Sequence, residues 1–155
     1  MTFKSAERLF FLFVCVFFAG CPSPAEEFID WQPAFDADAS GWILSTWGAE
    51  GERFAVGGRQ QDGIWGAAPN DLYTVGGNGR PDDEPVLMHY DGETWSDVAY
   101  PTLERANVRA FFKVWGTSAS DVIVVGQQGV ILRYDGSAWQ EFGAGTGEDL
   151  ISLWG

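Results

Sequence analysis

The chain has 155 residues, enough for one modest domain, and is 46% apolar with eight Trp and twelve Phe, which excludes a disordered polypeptide. Its formal net charge of −13 lacks the basic footprint that nucleic acid requires, and disfavours attachment to anionic lipid by charge alone. Twenty Gly and seven Pro imply many turns, as in an all-β chain, and a lone His (His89) cannot make a zinc site by itself.

Lys4 and Arg8 precede the uncharged run Leu9 to Gly20. A basic start followed by a short apolar stretch is the pattern of a secretory signal. Its twelve residues would reach only about 18 Å as a helix, short of the ~30 Å hydrocarbon core of a bilayer. The expectation is therefore an N-terminal signal helix over residues 1–20. The end of this run, Phe18-Ala19-Gly20-Cys21, resembles the lipobox of bacterial lipoproteins, with Phe18 where Leu is usual. That resemblance implies cleavage before Cys21, acylation of Cys21 on sulfur and nitrogen, and anchoring through several acyl chains, which hold stably where one would not. Pro22 follows the cysteine, where Asp would exclude outer-membrane sorting, so the implied location is the cell envelope, in the outer membrane. Cys15 would leave with the signal and Cys21 would carry lipid, leaving no thiol for a disulfide. Residues 21–27 then form the lipidated Cys and a polar, Pro-containing tether.

From residue 28 the chain is repetitive. The best copy runs from Trp115 to Trp139, W-G-T-S-A-S-D-V-I-V-V-G-Q-Q-G-V-I-L-R-Y-D-G-S-A-W. An earlier copy starts at Trp65 and closes at Trp95. In both, Asp lies six residues after the first Trp (Asp71, Asp121), Val-Gly follows, and Tyr-Asp-Gly-x-x-Trp closes the unit through Asp91, Gly92 and Trp95 or Asp135, Gly136 and Trp139. A degenerate copy from Trp47 reaches Val56-Gly57 without a second half, another begins at Trp154, and Trp31 reads as the closing Trp of a further unit. In the best copy the strands are expected at Leu150–Trp154 (the first strand of the next unit), Val122–Val125, Val130–Tyr134 and Ala138–Phe142, with Asp-Gly hairpin turns. Successive apolar positions in the first two imply burial on both faces, as in stacked sheets. The Trp65 copy carries six extra residues between Gly76 and Val86, and five more between Trp95 and Trp115. Lengthened loops between kept strands are what stacked repeats permit.

Four short strands in each ~40–50 residues suggest a propeller blade. The pattern W-G-x4-D-x3-V-G … Y-D-G-x-x-W resembles repeats of bacterial secreted and lipid-anchored proteins that form β-propellers. The D-G-x-x-W part is similar to the Asp-box of sialidase-type propellers, one residue shorter. The resemblance implies an incomplete β-propeller of about two to three four-stranded blades over residues 28–155. It implies structural, non-catalytic roles for Asp91, Gly92, Trp95, Asp135, Gly136 and Trp139. A unit opening at Trp154 adds the expectation of a truncated or split propeller, which would aggregate or be completed by another chain.

Few residues suggest chemistry. Trp47, Trp65, Trp115 and Trp154 could form a sugar-stacking platform, but their equivalent repeat positions point to the core. Trp42 lies outside the pattern and is the better candidate for a surface aromatic. Asp82-Asp83-Glu84 at a loop tip could help bind Ca²⁺, without the alternating spacing of a calcium loop; Asp36 and Asp38 are a weaker version. Otherwise they read as a solvated acidic turn. Arg80, Arg105, Arg109 and Arg133 fall at unrelated repeat positions, whereas a sialidase-like hydrolase needs an arginine cluster, a Tyr nucleophile and an acid in one pocket. No catalytic constellation or cofactor motif is present. The expectation is a lipid-anchored, extracytoplasmic binding or scaffold module with a protein or carbohydrate ligand. A carbohydrate hydrolase or a non-functional fragment are the alternatives.

Overall fold

A computed structural model describes residues 3–5, 31–33, 43–49, 51–57, 62–77 and 84–155. The chain is all-β. Its strands are β1 (Phe3–Ser5), β2 (Trp31–Pro33), β3 (Ile43–Ala49), β4 (Glu52–Gly57), β5 (Gly63–Ala68), β6 (Asp71–Gly76), β7 (Val86–Tyr90), β8 (Trp95–Asp97), β9 (Phe111–Ser118), β10 (Asp121–Gly126), β11 (Val130–Tyr134) and β12 (Trp139–Gly143). All pairings are antiparallel.

Two four-stranded sheets, β5-β6-β7-β8 and β9-β10-β11-β12, are simple up-and-down meanders. They match residue for residue. Trp65 lies opposite Tyr73, which lies opposite His89, which lies opposite Ser96; Trp115, Ile123, Arg133 and Gln140 follow the same path. The third sheet is the pair β3-β4, in agreement with a repeat that lacks its second half. β1 runs alongside β4, and β2, with Trp31, pairs with β1.

The sheets stack through their first two strands, with β3 against β5 and β5 against β9. Stacking explains why β6 is buried from Leu72 to Gly76 without alternation. Its side chains still divide by face. Leu72 packs with Phe54, Val56 and Ile64 on one side, while Tyr73 and Val75 pack with Val114, Val122 and Val124 on the other. The run Val122 to Val125 suits this place because β-branched side chains pack well on a pleated surface.

Each joint between sheets has the same centre. A Cβ at Gly66 would stand 3.2 Å from Cζ2 of Trp47, one at Gly116 2.7 Å from Cη2 of Trp65, and one at Gly155 3.2 Å from Cη2 of Trp115. The indole of each unit thus rests on the glycine of the next Trp-Gly pair. Only glycine lets a neighbour approach the backbone this closely.

Three expectations need correction. Leu150–Trp154 is not a strand. Among the described residues no strand pairs with it as β6 pairs with β5, and it is tied instead by Leu150 N–H donating to the Gly126 carbonyl at 2.9 Å. Trp154 is 91% exposed rather than core, and no glycine among the described residues lies against its ring as Gly155 lies against Trp115. The N-terminal helix is not observed. Phe3–Ser5 is a strand, residues 6–30 lie outside the described residues, and no described helix is long and apolar enough to cross a membrane.

Candidate functional site

The closing Asp-Gly turns are clamps rather than reactive groups. Asp91 Oδ1 accepts the N–H groups of Glu93 at 2.9 Å and Thr94 at 2.8 Å. Asp135 Oδ1 accepts from the Ser137 hydroxyl at 2.7 Å and from the N–H groups of Ser137 at 2.9 Å and Ala138 at 3.0 Å. Both favour the ionised form: the Thr94 amide, then that of Glu93, holds Asp91 below the usual carboxylate range, and the Ser137 hydroxyl with the Ala138 amide holds Asp135 down to about 2. Gly92 (φ 98°) and Gly136 (φ 90°) take the left-handed turn conformation. A Cβ on either would strike the preceding hairpin, 2.9 Å from Asn70 Cβ or 2.8 Å from Ser120 Cβ. The closing tryptophans lie on the tyrosine before each turn. Trp95 is tilted on Tyr90 at 5.2 Å, and Trp139 is stacked on Tyr134 at 5.4 Å with its edge on Tyr73 at 5.8 Å.

The repeat aspartates each meet a side chain of the adjacent strand. Asp71 Oδ1 is 2.7 Å from His89 Nε2, and Asp121 Oδ1 accepts from Arg133 Nε at 2.8 Å, while its Oδ2 accepts from the Thr117 hydroxyl at 2.7 Å. The Thr117 hydroxyl and then the Arg133 guanidinium lower the pKa of Asp121. The first sheet has Glu52 at this register position, with no third strand paired to β4 among the described residues. Its Oε2 is buried without a hydrogen-bond partner.

The feature with the character of a binding site comes from the two lengthened loops. In an up-and-down sheet the end of β6, the start of β7, the end of β8 and the start of β9 share one edge. The described end of the first insertion, Glu84 and Pro85, therefore lies beside the second. Residues 84–87 and 97–109 line a groove of ≈ 770 Å³ there, within the roughly 300–1,000 Å³ range of ligand pockets. Its walls combine Glu84 and Asp97 with Arg105 and Arg109, the amide of Asn107 and the ring of Tyr100.

The longer wall is pinned at several points. The Tyr100 hydroxyl donates to the Pro85 carbonyl at 2.9 Å, and its ring meets Phe111 edge-on at 5.3 Å. Glu104 N–H donates to Glu141 Oε2 at 2.8 Å, Arg105 Nη2 to the Thr146 carbonyl at 2.9 Å, and Arg109 N–H to Gln127 Oε1 at 2.7 Å. Asn107 takes φ 70°, a region Asn tolerates, and its Oδ1 accepts from Arg109 Nη2 at 3.1 Å. Gly77 (φ 144°) lets β6 pass the Arg109 carbonyl, which a Cβ would meet at 2.1 Å. The result is a shaped edge rich in donors and acceptors. Burial, and then the Glu84 carboxylate, push the Tyr100 phenol up. Together with its bond to Pro85, this makes Tyr100 a neutral donor rather than a nucleophile.

The residues nominated from sequence distribute as follows. Trp47, Trp65 and Trp115 are half-buried in the joints, and Trp47 also meets the Phe54 ring at 6.0 Å. Glu84 is exposed on the groove rim, whereas Asp82 and Asp83 of the same acidic run lie outside the described residues, as do Cys21, Asp36, Asp38, Trp42 and Arg80. No group of three or more potential metal ligands occurs among the described residues. Arg105 and Arg109 come together in the groove, and Arg133 does not. Tyr100, Asn107 and the Gly partner of each joint were not singled out in the sequence. The unequal loop lengths and the unbroken pairing of Trp with Gly were the signals that could have found them. Comparison with protein families, with curated proteins and with solved structures finds no match.

Proposed function

We propose that this chain is a lipid-anchored, extracytoplasmic binding module built from β-propeller blades, with its ligand in the groove between the two lengthened loops. The observation that carries the reading is a pinned groove formed by the second insertion and the described end of the first, Glu84 and Pro85. Val98, Tyr100, Leu103 and Val108 pack the longer loop on the core, which leaves Glu84, Asp97, Thr102 and Arg105 exposed along the groove. Paired carboxylates and guanidiniums beside an amide and an aromatic ring suit a carbohydrate, whose hydroxyl groups both donate and accept. The propeller reading is supported by stacked up-and-down sheets of matched register, and the lipid anchor by the Phe18-Ala19-Gly20-Cys21 sequence.

The test is binding of the full-length protein to an immobilised panel of oligosaccharides. Thr102→Trp, at an exposed position on the groove wall, serves as the blocking variant. Binding to a subset of glycans that Thr102→Trp removes is expected. Failure to bind any, or binding indifferent to that variant, overturns the reading. A carbohydrate hydrolase is the second reading, favoured by arginines and two acids in one groove. It predicts turnover of fluorogenic glycosides that Glu84→Gln or Asp97→Asn abolishes.

A further inference from the structure

Charge is distributed unequally along the groove. Arg105 is exposed on the longer wall, with its guanidinium held at two points. Its Nη2 donates to the Thr146 carbonyl at 2.9 Å, and its Nη1 lies 3.2 Å from where a Gly147 Cβ would be, so an absent side chain makes room for it. Neither contact is to a carboxylate. Arg105 has no ion-pair partner among the described residues, although the chain carries 22 acidic residues against 9 basic ones. Two positions on, Asn107 Oδ1 accepts from Arg109 Nη2 at 3.1 Å, which leaves the Asn107 amide nitrogen as a donor. The stretch 105–109 therefore presents donors and positive charge, while Glu84 and Asp97, exposed along the same groove, present acceptors and negative charge. A guanidinium ordered before the ligand arrives reduces the entropy lost on binding, and its planar fork matches an oxyanion.

We infer that the ligand of this groove is an acidic oligosaccharide: one sugar with a single negative charge, bound by Arg105, beside neutral sugars whose hydroxyl groups donate to Glu84 and Asp97. The inference rests on the carbohydrate reading above and narrows it. A neutral glycan would leave Arg105 without a counter-charge and forgo a charge-assisted hydrogen bond, roughly twice as strong as a neutral one. A glycan charged on every sugar would bring like charges against Glu84 and Asp97, in a chain whose net charge is −13. An isolated acidic group among hydroxyls satisfies both sets of groups. The carboxylate of a uronic acid and a sulfate ester share this chemistry, a single negative charge spread over oxygens that the guanidinium fork can reach.

The experiment measures binding of the full-length protein, in mild detergent, to immobilised oligosaccharides of glucose, galactose and mannose. Each backbone is presented neutral, with one uronic acid, with one sulfate ester, and with a uronic acid at every position. The wild type should bind a singly charged form at least about 10-fold more tightly than its neutral counterpart, the scale of a hydrogen bond to a charged group. The fully charged form should bind more weakly than the singly charged one. Arg105→Gln, which melts as the wild type does because the position is exposed, should bring the neutral and singly charged forms within about 3-fold of each other. A preference confined to the uronic acid, or to the sulfate ester, upholds the inference and identifies the acidic group. Equal binding of neutral and charged forms by the wild type, tightest binding of the fully charged form, or a charge preference that survives Arg105→Gln would overturn the inference and leave the carbohydrate reading standing. No binding to any form would overturn that reading and the inference with it.

Discussion

Substituting Gly116 by Ala tests the joint between the two complete sheets. Gly116 is buried, and an added Cβ would lie 2.6 Å from the Asp121 carbonyl oxygen and 2.7 Å and 3.0 Å from Cη2 and Cζ2 of Trp65. Carbon atoms prefer about 3.5–4.0 Å, so both the backbone of β10 and the indole must move. Overpacking of this kind costs about 1–3 kcal/mol, and with two neighbours displaced we expect the upper value, about 3 kcal/mol. Trp65→Ala should cost about 2–3 kcal/mol, less than a fully buried Trp, because the indole is half-buried. With Trp65 truncated, the methyl group of Gly116→Ala meets only the carbonyl, and its cost should fall by about half. The double variant should then be about 1–2 kcal/mol less destabilised than the sum of the single effects, an interaction of the size seen between touching residues. Urea melts of the four proteins provide the measurement, with unchanged slopes as the check on two-state unfolding. Additivity within about 0.5 kcal/mol would refute the indole-on-glycine joint.

Cys21→Ser should abolish incorporation of labelled fatty acid and leave an uncleaved precursor; unchanged labelling would remove the lipoprotein reading. Asp135 has a folded pKa of about 2, against about 3.9 in an unfolded chain. Its contribution to stability is therefore complete above pH ~4 and lost as pH falls through ~2; Asp91 and Asp121 act in the same direction. Acid titration of the urea midpoint should show this decline, and Asp135→Asn should lower the midpoint at neutral pH and flatten the decline. Trp139→Ala should cost about 2–3 kcal/mol by urea melt, below the ~3–5 kcal/mol of an enclosed Trp, because the ring is half-buried against Tyr134 and Tyr73.

Sequence made the sheets readable because each strand is a short apolar run closed by Gly or Asp, and those local signals survive folding. Val130–Tyr134 is observed at the expected bounds, and Asp121–Gly126 and Trp139–Gly143 lie within a residue of them. Leu150–Trp154 carries an equally apolar run but is no strand, because a strand is defined by a partner as well as by its own residues. Burial of Trp154 was misjudged for a related reason. The first tryptophans of the units are covered by the next unit, so an indole with the same local sequence is half-buried at Trp115 and exposed at Trp154. The groove was invisible for a different one. Arg105 and Arg109 fall at no common repeat position with Glu84, and only the up-and-down course of the sheet brings their loops to one edge.

The indole-on-glycine joint also separates two properties that most folds keep coupled. The intervals from Trp47 to Trp65, Trp65 to Trp115 and Trp115 to Trp154 are 18, 50 and 39 residues, yet the joint is the same in all three. Because registration between sheets depends on one large side chain meeting one absent side chain, the intervening chain can lengthen, shorten or lose half its strands without disturbing the stack. Loop length is then free to vary under selection for a ligand while the framework stays fixed. Substituting exposed groove residues such as Glu84, Asp97 and Thr102 should change what the groove holds long before it changes whether the sheets assemble.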